Sequence, residues 1–157
     1  MRGTVLGALL YFLSVMVTNI CQAQSIPNGV EHNPKIFSQI IELSESDFIE
    51  IVYDFKQHKN WKYKGNKPAV IEFYTTWCGA CKRLEPRLEQ LARELSGDVI
   101  VYKINSEKSP ELSKALDIQA YPTLLFIPTK GIPTLSIGLL SLKQMRAEVE
   151  KVRKDRP

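Results

Sequence analysis

Two thiols three positions apart, Cys78 and Cys81, lie in the run Trp77-Cys78-Gly79-Ala80-Cys81-Lys82. The run follows Ala69-Val70-Ile71-Glu72-Phe73-Tyr74, whose near-continuous apolar character predicts a strand covered on both faces. A helix beginning at Cys78 would project that side chain from the helix N-terminus and place Cys81 one turn in, within bridging reach. The unpaired N–H groups and the dipole of such a terminus favour a thiolate over a thiol at Cys78. A thiol so acidified is an available nucleophile at neutral pH and a good leaving group. The chemistry implied is reversible dithiol–disulfide exchange.

The elements that must position this run can be read outward from it. Ile40-Ile41-Glu42-Leu43 suggests a short strand, and Ser44 can cap a helix whose apolar residues Phe48, Ile51, Val52 and Phe55 follow a 3.6-residue period. Residues 56–67 are basic, contain Asn60, Gly65 and Asn66, and end before Pro68, which predicts a loop with Trp61 and Tyr63 docked on the domain surface. Beyond the thiols, Cys81, Leu84, Leu88, Leu91 and Leu95 form one helical stripe. Pro86 is expected to kink that helix, and Gly97 to follow its end. Residues 99–104 predict the next strand. Ser109-Pro110-Glu111 then opens a helix with Leu112, Ala115 and Leu116 inward. Residues 121–127 predict a strand entered through Pro122, with a short strand at 134–137 beside it. Ser141 and Gln144 have capping-box spacing for a last helix with Leu142, Met145, Val149 and Val152 inward and Lys143, Arg146, Lys151 and Arg153 on a solvated face. Strands separated by helices argue parallel pairing in the first half, and the close final pair argues an antiparallel hairpin. The class is α/β: a central mixed sheet with helices on both faces.

The 157 residues allow one domain with extensions. Residues 1–23 fit a secretory signal peptide: Arg2, an apolar stretch over 5–17, and small residues three and one before a cleavage point after Ala23. The apolar stretch is shorter than the roughly 20 residues a spanning helix needs, so cleavage without stable membrane insertion is expected. A lipid on Cys21 is the disfavoured alternative, because Ile20 stands where bacterial lipoprotein signals usually carry Gly, Ala or Ser. Residues 24–39 then form a flexible leader, and 40–157 the domain. The location implied is periplasmic or extracellular. The formal charge is +4, with lysines and arginines interleaved by acids rather than gathered in a stripe, which argues against a nucleic-acid partner. Cleavage after Ala23 leaves two of the three cysteines, Cys78 and Cys81, too few for a disulfide-stapled scaffold. A structural zinc site lacks ligands, since there is no second CxxC and His32 and His58 stand apart.

From residue 40 to the last helix the sequence resembles the thioredoxin family. Trp77-Cys78-Gly79-Ala80-Cys81-Lys82 looks like the family's WCGPCK with one substitution, and Pro86 falls where members kink the active-site helix. Tyr121-Pro122-Thr123 matches the loop whose proline is cis, and Gly138 matches the glycine of the following strand. The resemblance implies a thioredoxin-like three-layer α/β/α fold and an extracytoplasmic protein-disulfide reductase without cofactor or metal. Its partners would be disulfide-containing substrate proteins and an upstream thiol electron donor. Cys78 would attack and Cys81, buried, would resolve, the pair cycling through a Cys78–Cys81 disulfide. Glu72 would be the buried acid, usually Asp in thioredoxins, with a raised pKa and a proton relay to Cys81, and Lys103 the lysine that pairs with it. Trp77, Gly79, Ala80, Tyr121 and Pro122 would form the substrate-binding surface, the Tyr121 backbone pairing with an extended segment. Ala80, in place of the family's Pro, leaves the redox poise open, so a net oxidase or isomerase is one alternative. A module binding a soft metal such as Cu(I) through the two thiols is the alternative from another class.

Overall fold

A computed structural model describes residues 40–95 and 97–154. The proposed signal peptide, Cys21 included, and the whole of the leader lie outside these residues. Strands β1 (Ile41–Leu43), β2 (Ala69–Tyr74), β3 (Ile100–Asn105), β4 (Thr123–Ile127) and β5 (Thr134–Ile137) form one sheet in the order β1-β3-β2-β4-β5. β1 and β2 run parallel to β3, whereas β4 runs antiparallel to β2 and to β5. The sheet is therefore mixed, with β2, the strand leading into the thiols, at its centre. Helices α1 (Glu45–Ile51), α2 (Gly79–Leu95), α3 (Pro110–Ala115) and α4 (Leu142–Lys154) complete the domain.

Strand alternation divides the core in two. Val70, Val101, Leu124 and Phe126 face α2 and α4, packing against Leu84, Leu88, Leu91, Met145 and Val149. Ala69, Ile71, Phe73, Ile104, Leu125 and Ile127 face the other way, against Phe48 of α1 and Leu112 of α3. With side chains alternating across a strand, Glu72 shares the α2 side with Val70. The amphipathic stripe of α2 thus lies over Glu72, and the acid is within the domain because its strand is central.

Local chemistry adjusts several expected boundaries. α1 stops at Ile51, short of Phe55, and Ile51 is exposed. The N–H groups of Val52 and Tyr53 both turn back to Phe48 O, and Asp54 Oδ1 then accepts the N–H of Lys56 and Gln57, each at 3.1 Å. That Asx turn diverts the chain from helix. In α3 the short span ends in a turn at Asp117, with φ of 54°, and Ile118 donates its N–H to Ser113 O. Ser113 and Ile118 are consequently buried, Leu116 packs against the core as expected, and Ala115, expected inward, is exposed. The Ser109 side chain makes no capping bond, leaving Pro110 at the first turn as the start signal. Pro86 lies inside α2, which continues through it to Leu95, and Gly97 beyond the end has φ of 80°. Trp61 stacks on Tyr53 with centroids 4.6 Å apart, and Tyr63 packs against the α1–α3 side core, so the basic loop is docked by its aromatic residues.

Candidate active site

Strand β2 delivers the chain to the thiols at its C-terminal end, and α2 begins immediately after Cys78. Cys78 donates its N–H to Thr75 O at 3.2 Å, a turn that closes the path from strand to helix. Cys78 and Cys81 form a disulfide, with Cα atoms 5.3 Å apart. The Cys81 N–H, one of the unpaired donors of the helix start, points at Cys78 Sγ at 3.0 Å. The same donor is placed to stabilise a thiolate on Cys78 once the bond opens. Both cysteines are buried, so access to either sulfur depends on the surface around them.

That surface comprises Trp77, 69% exposed, and the loop before β4. The Trp77 and Tyr121 rings meet edge to face with centroids 6.0 Å apart. The Tyr121–Pro122 peptide bond is cis. Pro122 O accepts the N–H of Gly138 at 2.8 Å, which ties this loop to the end of β5. Gly138 needs its glycine for backbone reasons, with φ of 96°. Gly79 and Ala80 occupy the first turn of α2, Gly79 exposed and Ala80 half-buried. A Cβ at Gly79 would meet only the Arg83 guanidinium, at an ordinary 3.8 Å, so close packing does not demand glycine there.

On the inner side of the thiols a cleft of about 150 Å³ is lined by Glu72, Tyr74, Thr75, Cys81, Glu85 and Lys103, among others. Glu72 is 4% exposed, and its Oε1 has no hydrogen-bond partner. Burial, assisted by the negative charge of Glu85 and opposed by Lys103, pushes its pKa from 4.5 up to about 7. A carboxyl group titrating near neutrality beside Cys81 is matched to moving a thiol proton. Lys103 is the direct register neighbour of Glu72 in β3, but its ammonium makes its ion pair with Glu85 Oε1, at 3.7 Å, and lies over the Tyr74 ring at 5.5 Å. The expected pairing with Glu72 is thus reduced to a field. The lysine keeps more of its hydration at the cleft rim than it would beside a buried acid. Among the described residues no group of three or more His, Cys, Asp or Glu is arranged to hold a metal ion.

Two further acids belong to the site and were absent from the expected set. Glu107 Oε2 accepts from the Thr76 N–H at 2.7 Å and from Thr76 Oγ1 at 2.8 Å. Those bonds, backbone first, and a further one from the Trp77 side chain hold the Glu107 carboxyl below its usual range. It therefore anchors the segment that carries the exposed tryptophan. Glu85 could have been found from its i,i+4 spacing to Cys81, which puts both on one helix face. Glu107 gave no such signal, because its contact to Thr76 spans 31 positions.

The sequence matches the family model described as Thioredoxin over residues 39–151. The chain belongs to the thioredoxin family. This family member is 42% identical over 100 residues to the thioredoxin of Borreliella burgdorferi, covering 64% of this chain and 86% of that one. It is 34% identical over 84 residues to thioredoxin 1 of Chlorobaculum tepidum, covering 54% and 83% respectively. The solved long form of thioredoxin f from spinach chloroplast superposes with a TM-score of 0.62 at 27% identity, over 76% of this chain and 91% of that one. With the Cys78–Cys81 pair in place, this thioredoxin-family chain is a protein-disulfide oxidoreductase of the thioredoxin type.

Proposed function

We propose that the protein is exported and acts outside the cytoplasm as a net reductant of protein disulfides, fed by an upstream thiol donor. The single observation that carries the chemistry is the Cys81 N–H on Cys78 Sγ at the start of α2. Export is supported by the signal-like pattern of residues 1–23. The thiolate of Cys78 attacks one sulfur of a substrate disulfide, breaking that bond and forming a mixed disulfide, and the other substrate sulfur leaves as a thiolate and takes a proton. Glu72 accepts the proton of Cys81. The Cys81 thiolate then attacks Cys78 Sγ, closing the Cys78–Cys81 bond; the second substrate sulfur leaves with its electron pair and takes a proton, and Glu72 gives up the one it holds. Two substrate thiols are gained and the enzyme dithiol is oxidised, so electrons balance. An external dithiol restores the enzyme.

A Cys81→Ala variant expressed in its native cell tests this reading. Without the resolving thiol, Cys78 should remain linked to its substrates, and the adducts should be recovered from the extracytoplasmic fraction with a protein N-terminus at Gln24. Adducts confined to the cytoplasm, or a chain still carrying residues 1–23, would remove the export proposal. A wild-type reduction potential of about −270 mV fits a reductant, whereas one of about −120 mV would reverse the net direction.

A further inference from the structure

Lys103 and Glu72 are paired positions on adjacent strands, both facing α2, yet the lysine's ammonium is engaged at the rim of the cleft. What engages it is Glu85, one turn beyond Cys81 on α2 and half in solvent. We infer that Glu85 is a positioning residue of the exchange reaction: by holding the Lys103 ammonium at the rim, it prevents a closed Lys103–Glu72 pair and leaves Glu72 free to exchange a proton with Cys81. The inference rests on the reading of Glu72 as the base that serves Cys81.

The groups around Glu72 define what the change would do. From α2 it is faced by Cys81, Lys82 and Glu85, from β3 by Lys103, and along β2 by Tyr74; Thr75 and Thr76 close the loop side. Across the sheet on the β4 side its register partner is Leu124, which is fully buried and apolar. Lys103 is thus the cation in register with Glu72, and Glu85 the acid that competes for it. A closed ion pair would fix Glu72 as a carboxylate and weaken it as a base, since an opposite charge at contact favours the ionised form. The retained carboxylate would still share the cleft with Cys81, but with less driving force to take its proton. With Glu85 present, the lysine is shared with the Tyr74 ring and Glu85, and Glu72 Oε1 stays without a partner.

The test is Glu85→Gln, a change at a half-exposed side chain that keeps the volume and removes the charge. In the oxidised protein neither cysteine titrates, so the infrared carboxyl band that disappears in Glu72→Gln follows Glu72 alone. The expected result is that its midpoint falls by about one pH unit or more in Glu85→Gln. The acid limb of the pH–rate profile for reduction of a disulfide-bonded protein should move the same way, with a lower plateau, and Glu85→Asp should restore both. In a Lys103→Gln background the Glu85→Gln shift should shrink markedly. An unmoved Glu72 midpoint overturns the inference, as does an equal shift with and without Lys103, which would leave Glu85 as a distant charge. If instead the pH–rate profile of Glu72→Gln matched that of wild type, the relay reading itself would fall, whatever Glu85 did to the midpoint.

Discussion

Glu72 holds a proton in the folded protein that it would release in the unfolded chain, and the direction of that difference sets a stability cost. Below pH 4.5 both states are protonated and nothing is lost. As pH rises from 4.5 towards 7 the unfolded chain gives up its proton while the native state keeps it, so native stability declines, and the decline ends once pH passes 7. The full loss is about 3 kcal/mol at most for a difference of this size. Glu72→Gln should remove this pH dependence. Denaturant midpoints of the oxidised wild type and the variant would therefore diverge as pH rises from 4.5 to about 7 and run parallel above it, with the variant gaining on the alkaline side. Curves that stay parallel would show that Glu72 is ionised at its ordinary value. The burial of Glu72 follows from the apolar residues flanking it, and the sequence already placed it in a covered strand. The partner of Lys103 was not legible, because it depends on whether a flexible ammonium turns toward a buried acid or toward one at the rim. The register of β2 against β3 puts the lysine beside one acid and within reach of the other.

At the scale of elements, the legible starts are those written in local chemistry. Ser44 caps α1 with Asp47 reciprocating, and Ser141 caps α4 with Gln144 doing the same. Ser141 N–H donates to Gln144 Oε1 at 2.8 Å, and Gln144 N–H donates to Ser141 Oγ at 3.3 Å. Ser141→Ala should cost about 1 kcal/mol, visible as a lower denaturant midpoint at unchanged slope. An unchanged midpoint would mean that the box contributes nothing to the folded state. Helix ends were harder to place. The apolar period of α1 runs on through Phe55, and only the Asp54 side chain, bonding to N–H groups two and three residues ahead, shows why the helix has already stopped. The face of α4 expected to be simply solvated also does more. Arg146 binds Glu94 of α2 through both Nε and Nη2, and Arg153 reaches Asp98 at 3.1 Å. A basic stripe has the same appearance in sequence whether its partners are water or a neighbouring helix. These pairs are exposed and screened by solvent, so they orient α4 more than they hold it.

For the whole molecule, the mixed sheet sets both where the chemistry sits and which parts open first. Helix-separated strands and a terminal hairpin were enough to predict a mixed sheet, but not the order β1-β3-β2-β4-β5, which depends on long-range pairing. That order places β2 between β3 and β4, with apolar layers on both faces, so the strand ending at the thiols and carrying Glu72 is buried from Ala69 to Phe73. The edges differ sharply from it. β1 has three residues, and β5 leaves Leu135 and Ile137 exposed and, among the described residues, pairs only with β4. Since opening free energy follows buried contacts and the number of strands that must separate, amide exchange should be slowest at Val70, Ile71, Phe73, Val101, Ile104 and Leu124. Ladder amides of β5 should exchange faster by an order of magnitude or more, on the order of at least 1.4 kcal/mol in opening free energy. Native-state hydrogen exchange by NMR on the oxidised protein measures this directly. Equal protection in β5 and β2 would mean that the sheet opens only as one unit. A graded pattern would mean that the loop joined to β5 through Gly138 N–H and Pro122 O can rearrange to admit a substrate while β2 keeps Cys78, Cys81 and Glu72 in fixed relation.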